Sequence, residues 1–257
     1  MTDPATDPAT DPAPDPGLDP SETRAAAISG ALQRADNDLV LSFLRVRRAI
    51  GLLGFFLPAA LVAYAAPLGG TLLPTMSDYY YTPMREIFVG TLSANAVFLW
   101  SYEGYRPRPG EVLSDRMAAR TASLGALAVA LAPTLPEAPA ICTLSQCLLG
   151  DRAAALIHLA GATAFFGALA AFCLVLFVRG TEDGREKRGS NRIYRVCGWT
   201  IVACLAAIAA IFVVPGAAAR LAPLRPVFWL ETVATFAFAV SWLVKGDALR
   251  PVVRAAG

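Results

Sequence analysis

An all-α polytopic membrane protein, a compact bundle of six transmembrane helices with both termini cytoplasmic, is the fold that three features of the sequence predict. Of the 257 residues, 56% are hydrophobic and only 16% charged, and the mean hydropathy is +0.51, values typical of a chain that buries itself in lipid. The apolar residues gather into six runs, at 49–67, 86–102, 117–135, 153–178, 195–214 and 226–244. Each is near the roughly 20 residues that cross about 30 Å of hydrocarbon, and runs this long in lipid must be helical to satisfy their own backbone. The third feature is the distribution of basic residues, which fixes the orientation. A net charge of +2, broken up by the apolar runs, excludes nucleic acid as a partner.

Residues 1–21 repeat Asp-Pro units, TDPA, TDPA, TDPA, PDPG and LDPS. The recurring prolines remove backbone donors and forbid helix, and the aspartates repel one another, so this tail is expected to be disordered. It has neither the basic start nor the short apolar run of a secretory signal. Residues 22–48 form a cytoplasmic amphipathic lead-in: a short helix over 22–34 capped by Ser21, then a segment whose Arg45, Arg47 and Arg48 precede the first span. The transmembrane domain occupies 49–245, with Pro58 kinking its first helix, and residues 246–257 form a cytoplasmic tail.

With the amino terminus inside, every basic residue except Arg85, Arg152, Arg220 and Arg225 falls on the inner side, as the positive-inside rule requires. Trp100, Tyr102, Tyr105, Tyr194, Trp199 and Trp242 then fall at inner ends, and Tyr64, Tyr79, Tyr80, Tyr81 and Trp229 at outer ends, the places of aromatic belts. Lysine occurs only at Lys187 and Lys245. Arginine and abundant alanine are the coding bias of a GC-rich bacterial genome, so the bacterial inner membrane is the expected location.

The same topology sorts the polar residues. Ser77, Asp78, Tyr79, Tyr80, Tyr81, Arg85 and Glu86 lie in or just after the first outer loop; His158, the single histidine, and Glu231 lie in the outer halves of the fourth and sixth spans. An ionisable side chain there costs a few kcal/mol unless it faces protein, a partner or water, so convergence on one polar pocket is expected. Ser93 lies two turns beyond Glu86 on the same helix face, while Ser93 and Asn95 also suit hydrogen bonding between helices. The tyrosine triplet reads either as an interfacial anchor or as the lining of a lipid site.

Cys142 and Cys147 share the second outer loop, where an oxidising compartment favours a disulfide between them; Cys173, Cys197 and Cys204 read as packing residues within spans. No zinc motif is present, and no cofactor or metal is expected. The segment 179–195 reads as a solvated mixed-charge connector. Small residues at four-residue spacing, Ala118, Ala122, Ala126 and Ala130 in the third span and Thr163, Gly167 and Ala171 in the fourth, are expected to pack closely.

The segment PTMSDYYYTPMREIFVGTL resembles the first outer loop of the six-span family that includes the damage-regulated autophagy modulators, the FGF-receptor-activating protein and the GPI-anchor lipid-remodelling protein. Ser77, Asp78, Pro83, Glu86, Ile87 and Phe88 carry the resemblance, although Met84 and Arg85 separate Pro83 from its acidic residue. The resemblance implies a role in binding or organising membrane lipid.

Three functions are compatible with these residues. The first is a lipid binder or sensor with its pocket in the outer half of the membrane. The second is a membrane-embedded lipid hydrolase or acyltransferase using Asp78, Glu86, His158 and Glu231 as acid/base groups or metal ligands. The third is a proton-coupled transporter, for which no pair of Gly/Pro-broken spans is evident.

Overall fold

The computed structural model describes residues 20–65, 71–105, 110–136, 141–179 and 184–257, with side chains from residue 41 onward. The expected disorder of the Asp-Pro tail falls outside the described residues up to position 19. The chain divides into two units, 1–43 and 44–257. In the first, the backbone is helical from Pro20, so Ser21 stands inside the helix and not at its cap, and the lead-in is continuous with the first apolar run as α1 (Pro20–Ala65). The second unit holds the remainder of α1 and the other described helices.

Beyond α1 come α2 (Arg85–Trp100), α3 (Asp115–Leu131), a short α4 (Leu144–Leu149), α5 (Asp151–Ala171), α6 (Arg185–Val213), a short α7 (Ala217–Leu221), α8 (Pro226–Lys245) and a short α9 (Arg250–Ala256). There is no strand among the described residues. α5 continues into a π-helical turn, Phe172–Leu176. Among the described residues four stretches are long and apolar enough to cross a membrane: Leu41–Ala65, Asp151–Leu176, Arg185–Val213 and Pro226–Lys245.

Hydrogen bonds at the two ends of the bundle define the helix directions. At one end, the Phe228 amide at the start of α8 donates to the carbonyl of Pro74 ahead of α2 (3.0 Å). His158, near the start of α5, meets the carbonyl of Ala132 at the end of α3 (2.7 Å). At the other end, Arg47 of α1 donates to the Lys245 carbonyl at the end of α8 and to the Tyr102 hydroxyl just past α2. Arg179, after α5, pairs with Glu111 ahead of α3 (3.1 Å). The long helices therefore run alternately up and down.

Small residues set how closely they approach. A Cβ on Gly125 of α3 would lie 2.6 Å from the Gly161 carbonyl oxygen and 2.7 Å from the Phe165 amide nitrogen of α5, so the two backbones touch where both residues lack side chains. Ala118, Ala122, Ala126 and Ala130 are all buried on α3. The stripe expected on α5 is not the one used. Thr163 and Gly167 are exposed, with nothing within 4 Å of a Cβ at Gly167, while Ala154, His158, Gly161, Phe165 and Ala168 face inward. On α1, Gly51 and Gly54 admit Leu243 and Phe238 of α8.

Two further expectations change. Tyr102, Tyr194 and Trp242 form no belt; they are 1%, 4% and 0% exposed and build an aromatic core with Phe172 and Phe177. Ring centroids there lie 5.0 to 5.4 Å from Trp242 in edge-to-face geometry, the arrangement that aromatic quadrupoles favour. The segment 179–195 is structured from Arg185 as the first turns of α6. Lys187 Nζ donates to the carbonyls of Phe177 and Arg179, and a Cβ on Gly189 would collide with the Val253 carbonyl of α9. The connector is thus helical from Arg185, held by these carbonyls and by α9, while Arg185, Glu186, Arg188, Arg192 and Arg195 are exposed, as a solvated charged segment requires. Cys173, Cys197 and Cys204 are buried.

Candidate functional site

The loop from Thr71 to Met84 covers one end of the bundle, and its own chemistry folds it. Asp78 accepts the Thr75 amide (2.9 Å) while Thr75 Oγ1 accepts the Asp78 amide (3.1 Å), a reciprocal side-chain turn of the kind short polar residues form. It leads into a 3₁₀ turn, Ser77–Tyr81. Asp78 is thus spent on the loop and does not line the cavity beneath.

The tyrosines fasten the loop. Tyr79 is fully buried and packs against Tyr64 and Phe228, its hydroxyl donating to the Thr71 carbonyl (3.2 Å). Tyr80 is buried with the Arg85 guanidinium over its ring, 4.7 Å from the centroid. Tyr81 donates to the Thr134 carbonyl (2.6 Å) and accepts from Gln146 (3.1 Å). Burial pushes the Tyr79 and Tyr81 phenols up, so both stay neutral donors. The interfacial-anchor reading therefore fails for Tyr79 and Tyr80, whose rings belong to the core. Gln146 belongs to α4, closed by a capping box with Thr143 and stapled by the Cys142–Cys147 disulfide.

Three residues from distant parts of the chain meet under this loop. Ser77 Oγ lies 2.8 Å from His158 Nε2. His158 Nδ1 lies 2.7 Å from the Ala132 carbonyl, which can only accept; the ring proton therefore sits on Nδ1, leaving Nε2 to accept the Ser77 hydroxyl proton. That carbonyl is available because α3 ends there and its last carbonyls lack helical partners. Glu231 Oε2 accepts the Met76 amide (2.6 Å), pinning α8 to the residue before Ser77.

Beneath lies a cavity of about 50 Å³, room for more than one water. Its walls are mainly apolar, from Leu57, Phe88, Leu92, Val129, Phe165 and Phe238, and its polar lining is Ser77, Asn95, Glu231 and Thr235. Asn95 is 3% exposed, and its carbonyl oxygen has no partner among the described residues.

Of the residues expected in the pocket, Ser77 and Glu231 line the cavity and His158 stands directly behind Ser77. Arg85 and Glu86 are exposed at the start of α2, and Ser93 is half-buried off the cavity. Glu86 is turned outward because α2 presents Phe88, Leu92 and Asn95 inward, a face that excludes both Glu86 and Ser93. Asn95, read from sequence as a helix-to-helix hydrogen bonder, is a lining residue; its signal was an amide inside an apolar run. Among the described residues no group of three His, Cys, Asp or Glu side chains could hold a metal ion.

The fold and site define an all-helical membrane protein with a small, partly polar cavity among its helices. No family model, curated protein or solved structure matches the chain.

Proposed function

We propose that the protein is a six-span protein of the bacterial inner membrane, both termini cytoplasmic, that binds membrane lipid through the cavity under the loop 71–84, in the outer half of the bilayer. α2 and α3 supply the two spans beyond the four longest helices. At 16 and 17 residues they measure about 24 to 26 Å, a shortfall that local bilayer thinning offsets at a small cost. The resemblance carried by Ser77, Asp78, Pro83, Glu86, Ile87 and Phe88 points to lipid as well.

One observation carries this reading: the unpartnered carbonyl of Asn95 in an apolar cavity that also holds Ser77 and Glu231. A buried acceptor without a donor costs about 1 to 3 kcal/mol; the Asn95 oxygen is closed to a water-sized probe, so a turn of the amide toward the cavity would let a lipid hydroxyl or amine satisfy it while the walls receive apolar atoms. The test is mass spectrometry of lipids extracted from purified protein, wild type against Asn95→Leu, a change that removes the acceptor while keeping the volume. Wild type should retain lipid in near-stoichiometric amount and the folded variant should lose it. Wild-type protein without lipid, or equal retention by both, would overturn the reading.

A further inference from the structure

The hydrogen bond between Ser77 and His158 asks for more than binding. We propose that Ser77 is an acyl-accepting nucleophile and His158 its general base, so that the cavity takes the ester carbonyl of an acyl lipid and transfers the acyl group through Ser77; this rests on the reading that the cavity receives lipid.

The argument is geometric. A serine hydroxyl is a weak nucleophile until a base removes its proton, and the diagnostic arrangement is a nucleophile within about 2.6 to 3.2 Å of a base held by a third group. Ser77 Oγ and His158 Nε2 are 2.8 Å apart, and the Ala132 carbonyl, 2.7 Å from Nδ1, is the third group. It sets the tautomer that leaves Nε2 basic. The three come from three places, the loop before α2, the start of α5 and the end of α3. Ser77 also opens onto the cavity, among Leu57, Phe88, Val129 and Phe165, so an acyl chain lying along those walls would bring its carbonyl carbon to Oγ. The pair is buried, with Ser77 8% and His158 6% exposed, which keeps bulk water from the bond being broken.

The balance is complete without an oxidant or cofactor. The Ser77 Oγ–H proton passes to His158 Nε2 as the Oγ–C bond forms at the ester carbonyl. The ester C–O bond then breaks, and the departing alkoxide takes the proton back from Nε2 and leaves as an alcohol. Water, or the hydroxyl of a second lipid, repeats the sequence on the acyl-serine and restores Ser77.

An alkyl fluorophosphonate tests this without knowledge of the natural lipid: the Ser77 Oγ–P bond forms, the P–F bond breaks, and fluoride leaves. Full-length protein in native membranes is treated with the probe and the adduct mapped by peptide mass spectrometry, and the lipid content of the same preparation is measured. The adduct is expected on Ser77, absent in Ser77→Ala, and formed about 10²- to 10⁴-fold more slowly in His158→Gln, the usual range for loss of a general base. Unchanged thermal unfolding of Ser77→Ala and His158→Gln separates lost chemistry from lost fold; where His158→Gln unfolds early, Ser77→Cys with a thiol-directed acylating probe replaces it. Wild-type protein that keeps its lipid yet forms no adduct at Ser77 overturns the acyl-transfer proposal and leaves lipid binding standing. An adduct that survives Ser77→Ala overturns it as well, and absence of both lipid and adduct overturns both readings.

Discussion

Gly125 of α3 and Gly161 of α5 face each other with no side chain between them: a Cβ built on Gly125 would stand 2.6 Å from the Gly161 carbonyl oxygen. Lipid chains are as apolar as a helix surface, so association rests on such close contact and not on escape from water. Gly125→Ala is expected to force the helices apart and destabilise the protein by about 1 to 3 kcal/mol, the usual cost of overpacking. Gly167→Ala, which meets nothing, should be neutral or slightly stabilising. Thermal unfolding in detergent compares the two, and equal shifts would contradict the packing described.

Glu231 accepts the Met76 amide at 2.6 Å. Glu231→Gln keeps an acceptor there and should leave unfolding nearly unchanged. Glu231→Leu strands the amide and should lower stability by about 1 to 3 kcal/mol, with faster hydrogen exchange at residues 75–78. An innocuous Glu231→Leu would mean that the bond does not hold the loop.

The Cys142–Cys147 disulfide closes a six-residue ring around the capped turn that offers Gln146 to Tyr81. Loop entropy assigns it about 2 kcal/mol. Reduction, or replacement of both cysteines by serine, should lower the unfolding temperature and raise exchange across 141–150, leaving α5 and α8 protected.

Orientation is open to direct measurement. Glu86→Cys and Ala248→Cys place thiols at exposed positions at opposite ends of the bundle. In intact cells an impermeant maleimide should label position 86 at once and position 248 only after permeabilisation. The reverse pattern would place the Ser77 cavity on the cytoplasmic side.

Much of the fold was legible one residue at a time. The runs at 86–102, 153–178 and 226–244 coincide with α2, with α5 plus its π turn, and with α8 to within a few residues, because an apolar run of that length can bury its backbone only as helix. The fifth run, 195–214, covers only the later part of its helix: α6 starts at Arg185, in charged residues whose helical turns α9 and the carbonyls of Phe177 and Arg179 hold in place.

The candidate site was legible as a list of unusual residues but not as an arrangement. Ser77, His158 and Glu231 stood out because polar groups in apolar runs are costly. Nothing in their spacing says that Ser77 pairs with His158 while Glu231 takes a backbone amide, or that Asp78 turns back on Thr75 and Glu86 faces out.

The sequence by itself determined the class, an all-helical membrane protein, and the approximate bounds of its long helices, since hydropathy and length are properties of a contiguous segment. Only the tertiary structure decided which face of each helix turns inward. A soluble helix marks its buried face with an apolar stripe; a helix in lipid is apolar all round, so Gly161 and Gly167 look alike in the sequence. The backbone contact with Gly125 distinguishes them, and by fixing the rotation of α5 it also sets His158 beneath Ser77.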